Sequence, residues 1–139
     1  MASRLPHHVL TVLAVTDLGA ARQFYRAAFD WPLRVDEPNY VELALPDGRG
    51  LGLYQRSSLA SIVGRPTTPT AAGCVSSVEI YLHCADLIGT VERLRAAGGR
   101  ELSALAPRDW GDEAAYFADP DGNIVVAARP LPTQPASPR

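Results

Sequence analysis

The chain has 139 residues, of which 47% are hydrophobic and 20% charged, with a formal net charge of −2 at pH 7. That is one domain's length with enough apolar content for a real core, and the absence of a Lys/Arg run excludes nucleic acid and anionic membrane as expected partners. No segment is apolar enough for a membrane span, "MASRLPHHVL" lacks a signal segment, and Cys74 and Cys84 alone make no disulfide framework, so the expected location is cytoplasmic.

In chain order, "VLTVLAV" from Val9 is a strand pattern apolar on both faces. Asp17 follows as a helix N-cap, its carboxylate placed to accept from free first-turn N–H groups. Leu18, Ala21, Tyr25 and Ala28 then recur at helical spacing. A short strand is predicted near Leu33–Asp36. "YVELAL" and "LGLYQR" flank a Pro-Asp-Gly turn, where proline presets φ and glycine accepts a positive φ. Residues 57–75, including "SSLASIVGRPTTPTAAG", have little periodicity and read as a linker.

The second half repeats this order. "VEIYLHC" from Val78 alternates, Asp86 caps a helix carrying Leu87, Val91 and Leu94, and Gly98-Gly99 ends it. A strand near Glu101–Ala104 precedes "AAYFA" and "NIVVAA", joined by a second Pro-Asp-Gly turn. Val9 aligns with Val78, Asp17 with Asp86 and Ala27-Ala28 with Ala96-Ala97, an offset of 69 residues (Val78 against Val9); the turns pair at 74 (Pro120 against Pro46). Two ordered correspondences indicate a duplicated module. The predicted class is α+β: one domain of two βαβββ modules, about 8–56 and 76–129, with a Pro-rich, disordered tail at 130–139.

"V-x-D-L" opening a helix and "F-x-D-P-D-G-N" before the last strand, in paired modules, resemble the vicinal oxygen chelate superfamily, which includes glyoxalase I, extradiol dioxygenases and bleomycin-resistance proteins. The resemblance covers Val9 to Arg129, and "FADPDGN" is its most specific piece. It implies sheets curled into a cup with helices outside, and a homodimer. It also implies metal ligands at four inward positions, one on each module's first strand and one four residues after each turn glycine. Here those positions are Leu10, Gly52, Glu79 and Val126. Three of them cannot ligate, and one carboxylate does not hold a divalent ion against water. No metal or other cofactor is therefore expected. A displaced His8/Glu79/His83 site is the alternative.

Strand parity names the inward side chains. These are Leu10, Val12 and Ala14; Glu79, Tyr81 and His83; Tyr40, Glu42, Gly52, Tyr54 and Arg56; and Tyr116, Val126 and Ala128. Val9, Leu13, Val15, Val41, Leu43, Val78, Ile80 and Leu82 take the opposite parity as core. Trp110 lies in the longer second-module loop and is placed to close over a planar ligand. Tyr40, Glu42, Tyr54, Arg56, Glu79, Tyr81, His83, Trp110, Tyr116 and Val126 are the expected ligand contacts. Glu79, Tyr81 and His83 also fit the wet face of a half-exposed strand. Burial in a cup would raise the pKa of Glu79, making it the candidate general acid/base. Cys84 has helix-facing parity, which opposes a nucleophile role.

The reading that follows is a metal-independent small-molecule-binding protein holding an apolar or aromatic ligand. The alternative is a glyoxalase-like lyase/isomerase or a dioxygenase, working through Glu79 or an unrecognised metal site. A third is a regulatory partner whose cup is vestigial.

Overall fold

Two side-chain caps start the main helices of the computed structural model, which describes residues 4–132. Asp17 Oδ1 accepts from the Ala20 N–H at 3.0 Å, and Asp86 Oδ1 from the Gly89 N–H at 3.1 Å. The elements are β1 (Leu10–Val15), α1 (Leu18–Phe29), β2 (Leu33–Glu37), β3 (Tyr40–Ala44), β4 (Gly50–Gln55), α2 (Arg56–Val63), β5 (Glu79–His83), α3 (Leu87–Ala96), β6 (Arg100–Pro107), β7 (Asp112–Ala118) and β8 (Ile124–Pro130). They build two four-stranded mixed sheets, ordered β1-β4-β3-β2 and β5-β8-β7-β6. In each, the first and last strands pair parallel and the others antiparallel. The α+β class and its duplicated βαβββ order are as the sequence predicts.

The Pro-Asp-Gly turns close as their residues require. Gly48 has φ +89° and Gly122 φ +81°, and their N–H groups reach Leu45 O and Asp119 O at 3.0 Å. Helix α3 ends before Gly98, at φ +93°.

The chain divides into two units. One holds the N-terminal residues to Arg22 with Trp31–Thr68; the other holds Gln23–Asp30 with the residues from Pro69 onward. In the first, Leu13, Val15, Val41, Leu43, Leu51 and Leu53 are buried on one sheet face, their alignment fixed by the pairs Leu13↔Leu53 and Leu43↔Leu51. In the second, Phe117, Val125 and Ala127 of the sheet and Leu87, Val91 and Leu94 of α3 are buried, together with Phe24, Tyr25 and Ala28 from the last turns of α1. Tyr25 donates to Asp119 at 2.6 Å. Asp119 Oδ1 also caps the Asp121 and Asn123 N–H groups, and Asn123 Nδ2 donates to Asp119 Oδ2. The "DPDGN" turn is thus a polar socket for a helix tyrosine.

Three expectations need correction. Residues 57–75 are not all linker, because Arg56–Val63 form α2, ended by Gly64 at φ +76°. That helix lacks a side-chain N-cap and buries no residue, so neither capping nor apolar periodicity announces it. Val9 precedes β1 and is 58% exposed, so it is not core. Pro130 belongs to β8, opposite Asp112; most of the predicted disordered tail, residues 133–139, lies outside the described residues.

Candidate functional site

In the first unit, register brings the predicted face together through Tyr40↔Tyr54, Glu42↔Gly52 and Val12↔Gly52. The Tyr40 and Tyr54 rings meet edge to face at 5.1 Å. Tyr40 Oη donates to Glu42 Oε1 at 2.5 Å, and Arg34 Nε donates to Glu42 Oε2 at 2.5 Å. The Tyr40 hydroxyl, opposed by burial, holds the Glu42 carboxyl below the usual carboxylate range, and Arg34 adds to it. Burial and Glu42 push the Tyr40 phenol well up. A Cβ on Gly52 would stand 2.6 Å from Tyr40 Oη. The position four after the turn glycine is therefore covered by a phenol, and only glycine leaves it room.

Arg56 is a correction. It starts α2 rather than ending a strand, and its guanidinium donates to Thr16 Oγ1, Thr67 Oγ1 and the Ala14 carbonyl. A separate depression of about 380 Å³, lined by Leu18, Arg22, Asp36 and Pro38 among others, contains none of the predicted contacts.

The second unit carries the denser cluster. Ala114, Val126 and Ala128 form a fully buried patch on one face, with Tyr81 and Tyr116 packed on it. Val126 thus lies beneath the aromatics. Arg108 sits over the Tyr116 ring, 5.1 Å from its centroid, and donates to the Ala114 and Ala104 carbonyls and Ser103 Oγ, pinning the β6–β7 loop. Trp110 Nε1 donates to Tyr81 Oη at 2.9 Å. Tyr81 Oη in turn donates to Asp112 Oδ2 at 2.5 Å, which His83 Nε2 also approaches at 2.9 Å.

Asp112 is the centre of this network. Its side chain is 0% exposed, and Oδ1 is buried with no hydrogen-bond partner among the described residues. An acceptor left so costs about 1–3 kcal/mol. Burial alone would raise its pKa, but the hydrogen bonds from Tyr81 and His83 outweigh it and hold the carboxyl below its ordinary value. Burial, with Asp112 as acceptor, pushes the Tyr81 phenol up to about 12, so Tyr81 remains a donor at neutral pH. His83 keeps 43% of its side chain exposed.

Glu79 is a second correction. It begins β5 opposite Ile124 and is exposed, so the burial expected to tune it is absent. The buried carboxylate is Asp112, which sequence reasoning did not single out. Its signal was alternation, since Asp112, Ala114 and Tyr116 share parity. Asp109 and Glu113 lie close enough in sequence to hide that choice until register is known.

The family's ligand positions do not fit a metal ion: Leu10, Gly52 and Val126 offer no donor. Among the described residues, no group of three His, Cys, Asp or Glu side chains is placed to hold one. His8 meets Thr11 Oγ1 at 2.9 Å, and His83 is engaged by Asp112. Burial pushes the Cys84 thiol up, away from a nucleophile's range. No helix among the described residues is long and apolar enough to cross a membrane.

Comparison with known proteins agrees with this architecture. A glyoxalase-related enzyme from Fulvimarina pelagi superposes with TM-score 0.80 at 26% identity, covering 96% of this chain and 94% of that one. A glyoxalase/bleomycin resistance protein/dioxygenase from Nocardioides superposes with TM-score 0.77 at 22% identity, covering 100% and 92%. TioX from Micromonospora sp. ML1 gives TM-score 0.66 at 21% identity, covering 91% and 100%. A search of curated proteins finds no match. The sequence model of one family matches residues 5–126, and the chain belongs to that family, the Glyoxalase/Bleomycin resistance protein/Dioxygenase superfamily.

Proposed function

We propose that the chain is a metal-independent small-molecule-binding protein that takes a planar, largely apolar ligand against the Tyr81, Tyr116 and Trp110 face of its second unit. The observation that carries this reading is the Trp110–Tyr81–Asp112 chain of hydrogen bonds. A buried carboxylate fixes a tyrosine that packs on an apolar floor, and that tyrosine fixes a loop tryptophan. Held side chains of this kind offer stacking area without paying rotamer entropy on binding. The donor-poor set at Leu10, Gly52 and Val126 supports independence from metal.

Two measurements test the reading together. Elemental analysis after incubation with Ni²⁺, Zn²⁺, Fe²⁺ and Mn²⁺ and exhaustive dialysis should return far less than one ion per chain. In a Trp31→Phe background, which leaves Trp110 as the single tryptophan, aromatic ligands should quench emission saturably. Tightly held metal at one ion per chain, or no saturable quenching across an aromatic panel, overturns the proposal.

A further inference from the structure

The depression of about 380 Å³ in the first unit lies between the start of α1 and the turn joining β2 to β3. It opens on the helix side of the sheet, because Val41 lines it and alternates with Tyr40 and Glu42 of the opposite face. Val41, 2% exposed, is its floor, with Leu18 and Pro38 beside it. Arg22 stands on the helix wall, and Asp36 and Glu37 stand on the hairpin wall. Arg22 Nη2 meets Asp36 Oδ2 at 3.3 Å, with the two side chains 43% and 52% exposed. An exposed pair of this kind is weak, so it resists a guest little. Among the described residues, the other Arg22 nitrogens, Asp36 Oδ1 and both Glu37 oxygens have no protein partner. Unused donors and unused acceptors thus border one apolar floor. Gly19 adds room at the helix wall, where a Cβ would meet Asp17 Oδ1 at 3.5 Å and nothing nearer.

We propose that this depression binds a free α-amino acid with an apolar side chain. Its carboxylate sits on the Arg22 guanidinium, its ammonium on Asp36 and Glu37, and its side chain over Val41, Leu18 and Pro38. Charge favours a zwitterion over either ion alone. A simple anion would sit beside two carboxylates, and a simple cation would leave the open Arg22 donors unused. The guanidinium fork suits a carboxylate, and it can take one while Nη2 keeps Asp36. A residue inside a peptide carries neither charge, and a peptide end carries one of them, so the pairing selects the free amino acid. The volume, at the small end of ligand sites, suits a molecule of that size. No bond forms or breaks in this binding. The site is separate from the Tyr81, Tyr116 and Trp110 face, and the proposal does not depend on that face having a ligand.

The test uses L-leucine and two analogues: 3-methylbutylamine, which lacks the carboxylate, and 4-methylpentanoate, which lacks the amino group. None is aromatic. Each is titrated into the ¹⁵N-labelled full chain at neutral pH and constant ionic strength, and backbone amide shifts are followed by NMR. L-leucine should move the amides of Gly19, Arg22, Glu37 and Val41 saturably and bind about fivefold or more tighter than either analogue, the scale of one exposed ion pair. Arg22→Gln should erase the preference over the amine. Gly19→Leu should fill the depression and abolish binding of all three. Arg22→Gln alters a half-exposed side chain, so it carries the test if Gly19→Leu fails to fold. Equal binding of leucine and its analogues overturns the proposal, because charge pairing then selects nothing. Absence of saturable shifts, shifts centred on Tyr81 and Trp110 instead, or binding that survives Gly19→Leu also overturns it. None of these outcomes touches the aromatic-ligand reading of the second unit.

Discussion

Gly52 and Tyr40 form a lock whose two parts sit twelve residues apart in sequence and on adjacent strands in space. Gly52→Ala puts a methyl carbon 2.6 Å from the Tyr40 hydroxyl, so the ring must leave its contact with Tyr54 and Glu42. A loss of about 1–3 kcal/mol is expected in urea denaturation, and Tyr40→Ala in the same chain should recover part of it. Asp112 gives a second prediction. Its carboxyl is depressed in the fold, so its contribution to stability is complete above the ordinary carboxylate pKa and fades as pH falls through the lower folded value. Wild type should therefore exceed Asp112→Asn in Tm at neutral pH, with the gap closing toward strong acid. A gap that does not depend on pH would mean that packing, not charge, is what the aspartate supplies.

At the scale of elements, the regular pieces were legible because each carried its own local signal. Both N-cap aspartates, both Pro-Asp-Gly turns and the glycine after α3 formed as read. Alternation placed Tyr40, Glu42 and Gly52 on one face and Leu13, Val15, Val41 and Leu43 on the other. Helix α2 was missed because it buries nothing and has no cap; its one cue, Gly64, looked like linker composition. Arg56 was misplaced with it, since parity continued past the end of a strand that had already become helix. Asp112 needed the β7–β8 register, a long-range quantity that no local pattern contains. The polar turn around Asp119 is equally non-local: its partner Tyr25 is 94 residues away. Tyr25→Phe should leave the buried Asp119 short of a donor and cost about 1–3 kcal/mol, read as a shifted urea midpoint with an unchanged slope.

For the whole molecule, the duplicated sequence and the structural units do not share a boundary. The tail of the first module's helix, with Asp30 after it (Gln23–Asp30), belongs to the second unit, where Phe24, Tyr25 and Ala28 are buried. A fragment from Pro69 onward should consequently fail to give a dispersed NMR spectrum alone, and a synthetic peptide spanning residues 18–30 should restore one. A well-dispersed fragment without peptide would show that the helix tail is dispensable. The same arrangement sets a schedule during synthesis. Tyr25, directly behind Phe24, leaves the ribosome 94 residues before the aspartate that receives its hydroxyl. At about 5–20 residues per second that interval is roughly 5 to 20 s, during which two large aromatic side chains have been made and their burial place has not.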